Sequence, residues 1–319
     1  MTDTAKNTAP IPDANLLEDI IKRARKQGAS AADAVLVRST SLSVTLRNGK
    51  TEVIERSESA DLGLRVFKGQ KQAVIATSDF GASKLDGMIE RVLGIADATP
   101  DDPYAGIAAP EQIVREIRQL DLCDPSEPDP AWLVKAAGEI EAAAMAVPGI
   151  TNTEGGDAAW GRSDVTLAAS NGFVGSYARS SSSLSTTVLA GSGTGMERDY
   201  DYDSTTYWAD LKDPKAIGKN AGERTVRRLN PRRMSTQQVP VVYEARQTRD
   251  IVSHILAAIN GSSVARGSTF LKDKLGQAVC GSNITIHEDP FLPRAPRSRA
   301  FDGEGLAPQA RRLIDAGVL

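Results

Sequence analysis

The chain has 319 residues, 40% of them hydrophobic and 25% charged, with 38 basic and 41 acidic side chains and a net charge of −3. This is the composition of an ordinary globular protein long enough for about two domains, and it lacks the clustered basic surface that nucleic-acid binding requires. Two distant cysteines, Cys123 and Cys280, exclude a disulfide framework and a CxxC motif and fit a reducing compartment, and no apolar run approaches the roughly 20 residues of a membrane span.

Residues 1–12 are polar and proline-containing, an expected loose arm without the apolar region of a signal peptide, so a cytoplasmic location is expected. Asp13 or Asn15 can cap a helix on which Leu16, Leu17, Ile20, Ile21 and Ala24 recur at helical spacing, with Gly28 as its stop. Residues 34–38 and 41–47 read as strands, the second alternating Leu42, Val44 and Leu46 with polar residues. Asn48-Gly49 is a type I′ hairpin signal, because both residues tolerate positive φ. Strands over 52–58, 62–67 and 72–77 follow, then a helix over 81–96 with Leu85, Met88, Ile89, Val92 and Leu93 on one side. Helix, antiparallel meander, helix is an α+β pattern rather than alternating βαβ units.

Residues 99–110 and 121–130 are rich in Pro and Asp and read as exposed linkers. A helix over 132–146 ends at Pro148-Gly149, and the chain then turns to strands up to about residue 193, with a second hairpin signal at Asn171-Gly172. The serine run 180–183 reads as polar strand edge and solvent face. The expected organisation is an arm (1–12), an N-terminal α+β domain (13–120) whose meander is flanked by helices, a linker (121–130), and a β-rich central and C-terminal domain (131–319).

Residues 197–207, ERDYDYDSTTY, alternate carboxylates with tyrosines. On a strand this gives one acidic and one aromatic face, compatible with an ordinary surface strand, with a peptide or partner contact through Tyr200 and Tyr202, or with a metal site. The glycine and distal glutamate of an EF-hand loop are missing. A helix over 213–229 follows, and the basic run 224–233 reads as a solvated helix end in preference to a phosphate or partner site.

Residues 239–276 carry an apolar strand (239–243), a helix with His254, a turn at Gly261, a loop at Arg266-Gly267 and a second short helix (270–275). No GxSxG, P-loop or GxGxxG pattern occurs, and the Gly-rich 191–195 reads as a turn. His254 and His287 are the two histidines. His254 lies beside an apolar stripe of Ile251, Val252, Ile255, Leu256 and Ile259, and a zincin helix would need Glu at 255 and His at 258, where Ile and Ala stand. His254 is thus only a weak metal candidate, and a packing or interface histidine is the expected role.

The runs LNPRRMSTQQVPVVYEARQTRDIVSHILAAINGSSVARGSTFLKDKLG, ITIHEDPFLP and SRAFDGEGLAPQARRLIDAGVL, with the meander SLSVTLRNGKTEVIERSESADLGLRVF, closely resemble the TldE (PmbA) branch of the TldD/TldE proteins. The resemblance covers nearly the whole chain. It implies a two-domain α+β protein that pairs with a TldD-like catalytic subunit as an intracellular metallopeptidase processing or degrading small unfolded peptides. In TldD the corresponding helix carries HExxxH, and a later cysteine completes the zinc site. Here only His254 has a counterpart; Ile255 stands for the glutamate and Ile259 for the second histidine. The resemblance therefore implies a non-catalytic subunit with no cofactor of its own, zinc residing in the partner. Tyr200, Tyr202, Arg266 and Phe270 are the candidate substrate or partner contacts. Family members continue past the DAGVL segment, which implies a C-terminal domain that is truncated here. A stand-alone metallopeptidase and a non-enzymatic peptide-binding or regulatory protein are the alternatives. The branch has also been named as a modulator of DNA gyrase, for which the charge balance offers no direct DNA contact.

Overall fold

The computed structural model describes residues 13–319; the expected arm lies outside the described residues. These residues form two compact units, 13–230 with 291–308, and 231–290 with 309–319.

In the first unit, α1 (Ala14–Lys26) buries Leu17, Ile20, Ile21 and Ala24 and stops at Gly28, whose φ is 111°. Asp13 precedes the helix but does not cap it: its carboxylate accepts from Arg38 Nε and Nη2 at 2.8 and 3.0 Å. The expected pairs of strands merge. Residues 34–38 and 41–47 belong to one long β1 (Ala31–Arg47), and 52–58 and 62–67 to one β2 (Lys50–Lys68). The two pair along their whole length through the Asn48-Gly49 turn, with φ values of 52° and 70° as a type I′ turn demands. The chain continues through β3 (Lys71–Thr77), α2 (Ala82–Ala98), α3 (Pro130–Met145), β4 (Ile150–Ala169), β5 (Val174–Ala190), β6 (Glu197–Thr205) and α4 (Pro214–Arg227).

The strands build one antiparallel sheet in the order β3-β2-β1-β4-β5-β6. The N-terminal meander and the later strands share this sheet because β1 pairs with β2 on one side and with β4 on the other. Strand alternation sends the even-numbered residues of β1 to one face. There Ala32, Ala34 and Leu36 pack with α1 and α2, and Leu42, Val44 and Leu46 with α3. Close approach of the helix layer depends on two glycines. A Cβ at Gly156 would lie 2.1 Å from Ala137 O, and one at Gly218 2.1 Å from Ile140 O.

The other face is covered at one end. Val35, Leu167, Phe173 and Tyr177 pack against Leu120, Leu122, Phe291 and Phe301. The stretch 121–130 is therefore no simple exposed linker. Leu122 is in this cluster, Asp124 is buried, and Arg294 stacks on Tyr207, 3.7 Å from the ring centroid, while the Tyr207 hydroxyl donates to Asp121.

In the second unit, α5 (Ala245–Ala258) and α6 (Gly261–Ala265) precede a two-stranded antiparallel sheet of β7 (Ile286–Glu288) and β8 (Arg311–Ile314). Residues 239–243 form no strand; their backbone has no ladder to join, and Val241 and Val242 are 69% and 93% exposed. Residues 270–275 form turns rather than a helix. A helix (α6) stands where a turn at Gly261 was expected, capped by the Asn260 side chain, which accepts from Ser262 N. No helix among the described residues is long and apolar enough to cross a membrane.

Candidate functional site

Two places in the molecule carry the sequence-predicted site residues. The first is β6. Its carboxylates face the helix layer and are neutralised there. Asp201 accepts from Arg224 Nη1 at 2.7 Å, Arg228 pairs with Glu197 and Asp199 at 3.4 and 3.6 Å, and Asp203 pairs with Lys212 at 3.2 Å. Arg224 on α4 and Arg228 just past its end thus hold the edge strand, so this part of the basic run is an ion-pair surface rather than only a solvated helix end. Acid chemistry on this face is directed inward, to packing.

Tyr200 and Tyr202 point the other way. Their rings stack with centroids 6.1 Å apart and are 41% and 43% exposed. They border the uncovered end of the sheet face opposite the helices. The register places Tyr202 beside Ser185 and Tyr200 beside Thr187. Ser183 and Ser185 of β5 lie beside Ala159 and Asp157 of β4, which lie beside Ser43 and Thr45 of β1. The surface is small, polar and rich in hydroxyls. Two of its cross-strand contacts are hydrogen bonds, between Thr45 Oγ1 and Asp157 at 2.7 Å and between the hydroxyls of Ser39 and Ser163 at 2.9 Å. Within the serine run 180–183, Ser182 and Ser183 lie between β4 and β6, whereas Ser180 and Ser181 lie beyond the end of β6, where Ser180 N donates to Leu122 O at 3.0 Å. Ser180 and Ser182 are buried on the helix side, and Ser180 Oγ accepts from Asp124 N at 2.7 Å and donates to Thr206 O at 2.8 Å. The two-residue strand period, carried back from buried Leu184, Thr186 and Val188, was the available signal for this split.

Nucleophilic chemistry finds no support at Cys123, whose thiol is pushed up by burial, the opposite of what activates a thiolate.

The second place is α5, in the other unit. His254 is exposed, Ile255 and Ile259 are half-buried, and Ala258 is buried. Arg266 follows α6 and is exposed, and Phe270 is 79% exposed. His287 lies on β7 and is also exposed. Among the described residues no three His, Cys, Asp or Glu side chains converge in a way that could hold a metal ion. α5 itself offers one imidazole and, one and five positions on, two isoleucines that neither ligate metal nor accept a proton.

Three sequence profiles of the PmbA/TldA metallopeptidases match successive parts of the chain: domain 1 at residues 32–96, the central domain at 123–229 and the C-terminal domain at 236–319. The chain is 32% identical over 308 residues to the metalloprotease PmbA of Escherichia coli O157:H7, covering 95% of this chain and 68% of that protein. It is 33% identical over 300 residues to a PmbA homologue of Haemophilus influenzae, covering 94% and 66%. Among solved structures, a protein of Bacteroides thetaiotaomicron described as a modulator of DNA gyrase superposes with a TM-score of 0.90 at 25% identity, over 96% of this chain and 70% of that one. TldE of Thermococcus kodakarensis shares the fold, with a TM-score of 0.77 at 18% identity over 94% of this chain and 68% of that one. The chain thus spans about two thirds of the length of these relatives, and with the sheet, the helix layer and the sequence in agreement, it belongs to the PmbA/TldD metallopeptidase family.

Proposed function

We propose that this chain is the non-catalytic, TldE-like subunit of a cytoplasmic heteromeric zinc metallopeptidase that processes or degrades small unfolded peptides, the zinc and its HExxxH motif residing in a TldD-like partner. One observation carries the reading: α5 keeps His254 but has Ile255 and Ile259 where the family's catalytic helix has its glutamate and second histidine. A helix so changed retains its place in the scaffold and loses the general base and the metal ligand. The uncovered hydroxyl-rich face with its stacked Tyr200 and Tyr202 is the surface that suits an extended peptide, since amphipathic aromatic side chains add contact area at low entropic cost.

Co-expression with a TldD-like chain tests this. The two chains are expected to co-purify, and peptide cleavage is expected to need the partner's HExxxH and its zinc. If the chain purified alone binds zinc and cleaves peptides in a chelator-sensitive manner, it is a stand-alone metallopeptidase and the reading fails. The tyrosine face also favours a second reading, a peptide-binding module that needs no peptidase. Tight peptide binding by the isolated chain, with no association with a TldD-like chain, would favour that alternative.

A further inference from the structure

β2 is a long strand flanked by a short one. β3 pairs with it only from Leu62 to Lys68. At the other end the ladder with β1 slips: Val53 lies opposite Thr45 and Thr51 opposite Leu46, so Glu52 is an extra, bulged residue. Between bulge and β3, residues 53–61 have β1 as their only strand neighbour among the described residues. The unpaired backbone faces outward, and both faces are open there: Val53 is 45% and Ile54 56% exposed.

Such an edge is a template for another strand. A symmetric antiparallel pair requires some residue to face itself. The gap is bounded by the bulge on one side and by Thr77 of β3, opposite Leu62, on the other. An incoming copy of the same segment fits this gap only when centred on its middle, Ser57. That register sets Arg56 against Glu58 twice, Ile54 against Ala60 twice, and Glu55 against Ser59. No like charges meet. Centring one residue nearer the hairpin would instead place Arg56 against itself, and centring two residues nearer would place Glu52 against Glu58 and Glu55 against itself. Charges on an edge ordinarily repel a partner strand; in this register they attract it.

We propose that the free edge of β2 pairs antiparallel with the same edge of a second copy of this chain, Ser57 on the two-fold axis, joining two sheets into one. In the chain as it stands Arg56 binds Glu58 and Glu127, so pairing closes a four-charge ring of Arg56 and Glu58 from both copies.

The test is a charge swap read by sedimentation equilibrium. The wild-type chain is expected to dimerise. Arg56→Glu alone sets Glu against Glu58, and Glu58→Arg alone sets Arg against Arg56, so each variant is expected to dissociate at least about tenfold more readily. An equal mixture of the two restores opposite charges at both positions and is expected to regain the wild-type dimer. Thermal melts confirm that each variant folds, which matters because Arg56→Glu also loses Glu127. Independently, Ser57→Cys should give a covalent dimer linked through residue 57, identified by mass spectrometry against the half-buried Cys123 and Cys280. A monomeric wild type, a dimer indifferent to the single reversals, a mixture that fails to recover, or a link through another residue overturns the proposal. An edge reserved for a strand of a different protein appears as the first of these outcomes.

Discussion

Glu141 on α3 holds the turn of the β1–β2 hairpin: its two carboxylate oxygens accept the N–H groups of Asn48 at 2.7 Å and Gly49 at 2.8 Å. Glu141 is 4% exposed. The charge is tolerated because two backbone donors meet it, and the turn in exchange is fixed against the helix layer. Replacing Glu141 by Ala should destabilise the fold by about 1–2 kcal/mol, since two backbone donors of an exposed turn lose a charged acceptor that ties them to α3. Glu141→Gln should cost less, because one amide oxygen still accepts. Urea titration of both variants measures this; an alanine variant as stable as the wild type contradicts it.

Helix packing rests on glycine at close contacts. Gly218→Ala forces a methyl to 2.1 Å from Ile140 O, a contact that moves backbone rather than a flexible side chain. A loss of about 2 kcal/mol or more is expected. Gly94 on α2 has open space around the same added atom, so Gly94→Ala should stabilise by up to about 1 kcal/mol through helix propensity. Paired thermal melts should move in opposite directions.

Two aspartates should give opposite pH dependences. Burial raises the Asp33 pKa above its ordinary 3.8, outweighing its ion pair with Arg65. The native state then holds this proton more tightly than the unfolded chain, so the stability Asp33 contributes is full below 3.8 and is lost as pH rises from there to the raised native value. Asp13 is lowered by its hydrogen bond to Arg38. Its contribution is present above 3.8 and is lost as pH falls through the depressed value. Melting temperatures of Asp33→Asn and Asp13→Asn across acidic pH should flatten the curve on opposite sides of 3.8.

The ion pairs between β6 and α4 predict a local effect. Arg224→Met removes the cation 2.7 Å from Asp201. The β6 amides should then exchange hydrogen faster, while those of β1 and β4, central in the sheet, stay protected. Mass-resolved exchange of the two regions distinguishes this from general destabilisation.

If the uncovered face receives peptide, replacing both Tyr200 and Tyr202 by Ala should weaken peptide binding about tenfold or more with a small change in melting temperature, because neither residue is buried. Fluorescence anisotropy with an unstructured peptide is the readout, and unchanged affinity would remove this face from the proposed function.

Much of this was legible from local pattern. The apolar stripe Leu17, Ile20, Ile21, Ala24 is buried as its spacing requires, and Asn48-Gly49 makes the turn its positive φ allows. That isoleucines stand at 255 and 259 is a matter of residue identity alone. Where local pattern misled, a partner was missing or unforeseen. Residues 239–243 have strand composition and no ladder. Asp13 is a good cap that Arg38 claims instead. The 121–130 stretch looks like a linker, yet Asp124 and Leu122 are buried by contacts with distant residues.

The sequence by itself determined the α+β class, the amphipathic helices of the first unit and the hairpin turn at Asn48-Gly49, because propensity and turn geometry are carried by neighbouring residues. Only the tertiary structure decided that β1 joins the early and late strands in one sheet, that α4 turns the carboxylates of β6 inward and leaves its tyrosines out, and that residues 53–61 of β2, paired with β1 on one side, have no strand on the other among the described residues. Those outcomes depend on which strand lies beside which, and on a β3 too short to cover its neighbour. Both are set by long-range register, which no local stretch of residues encodes.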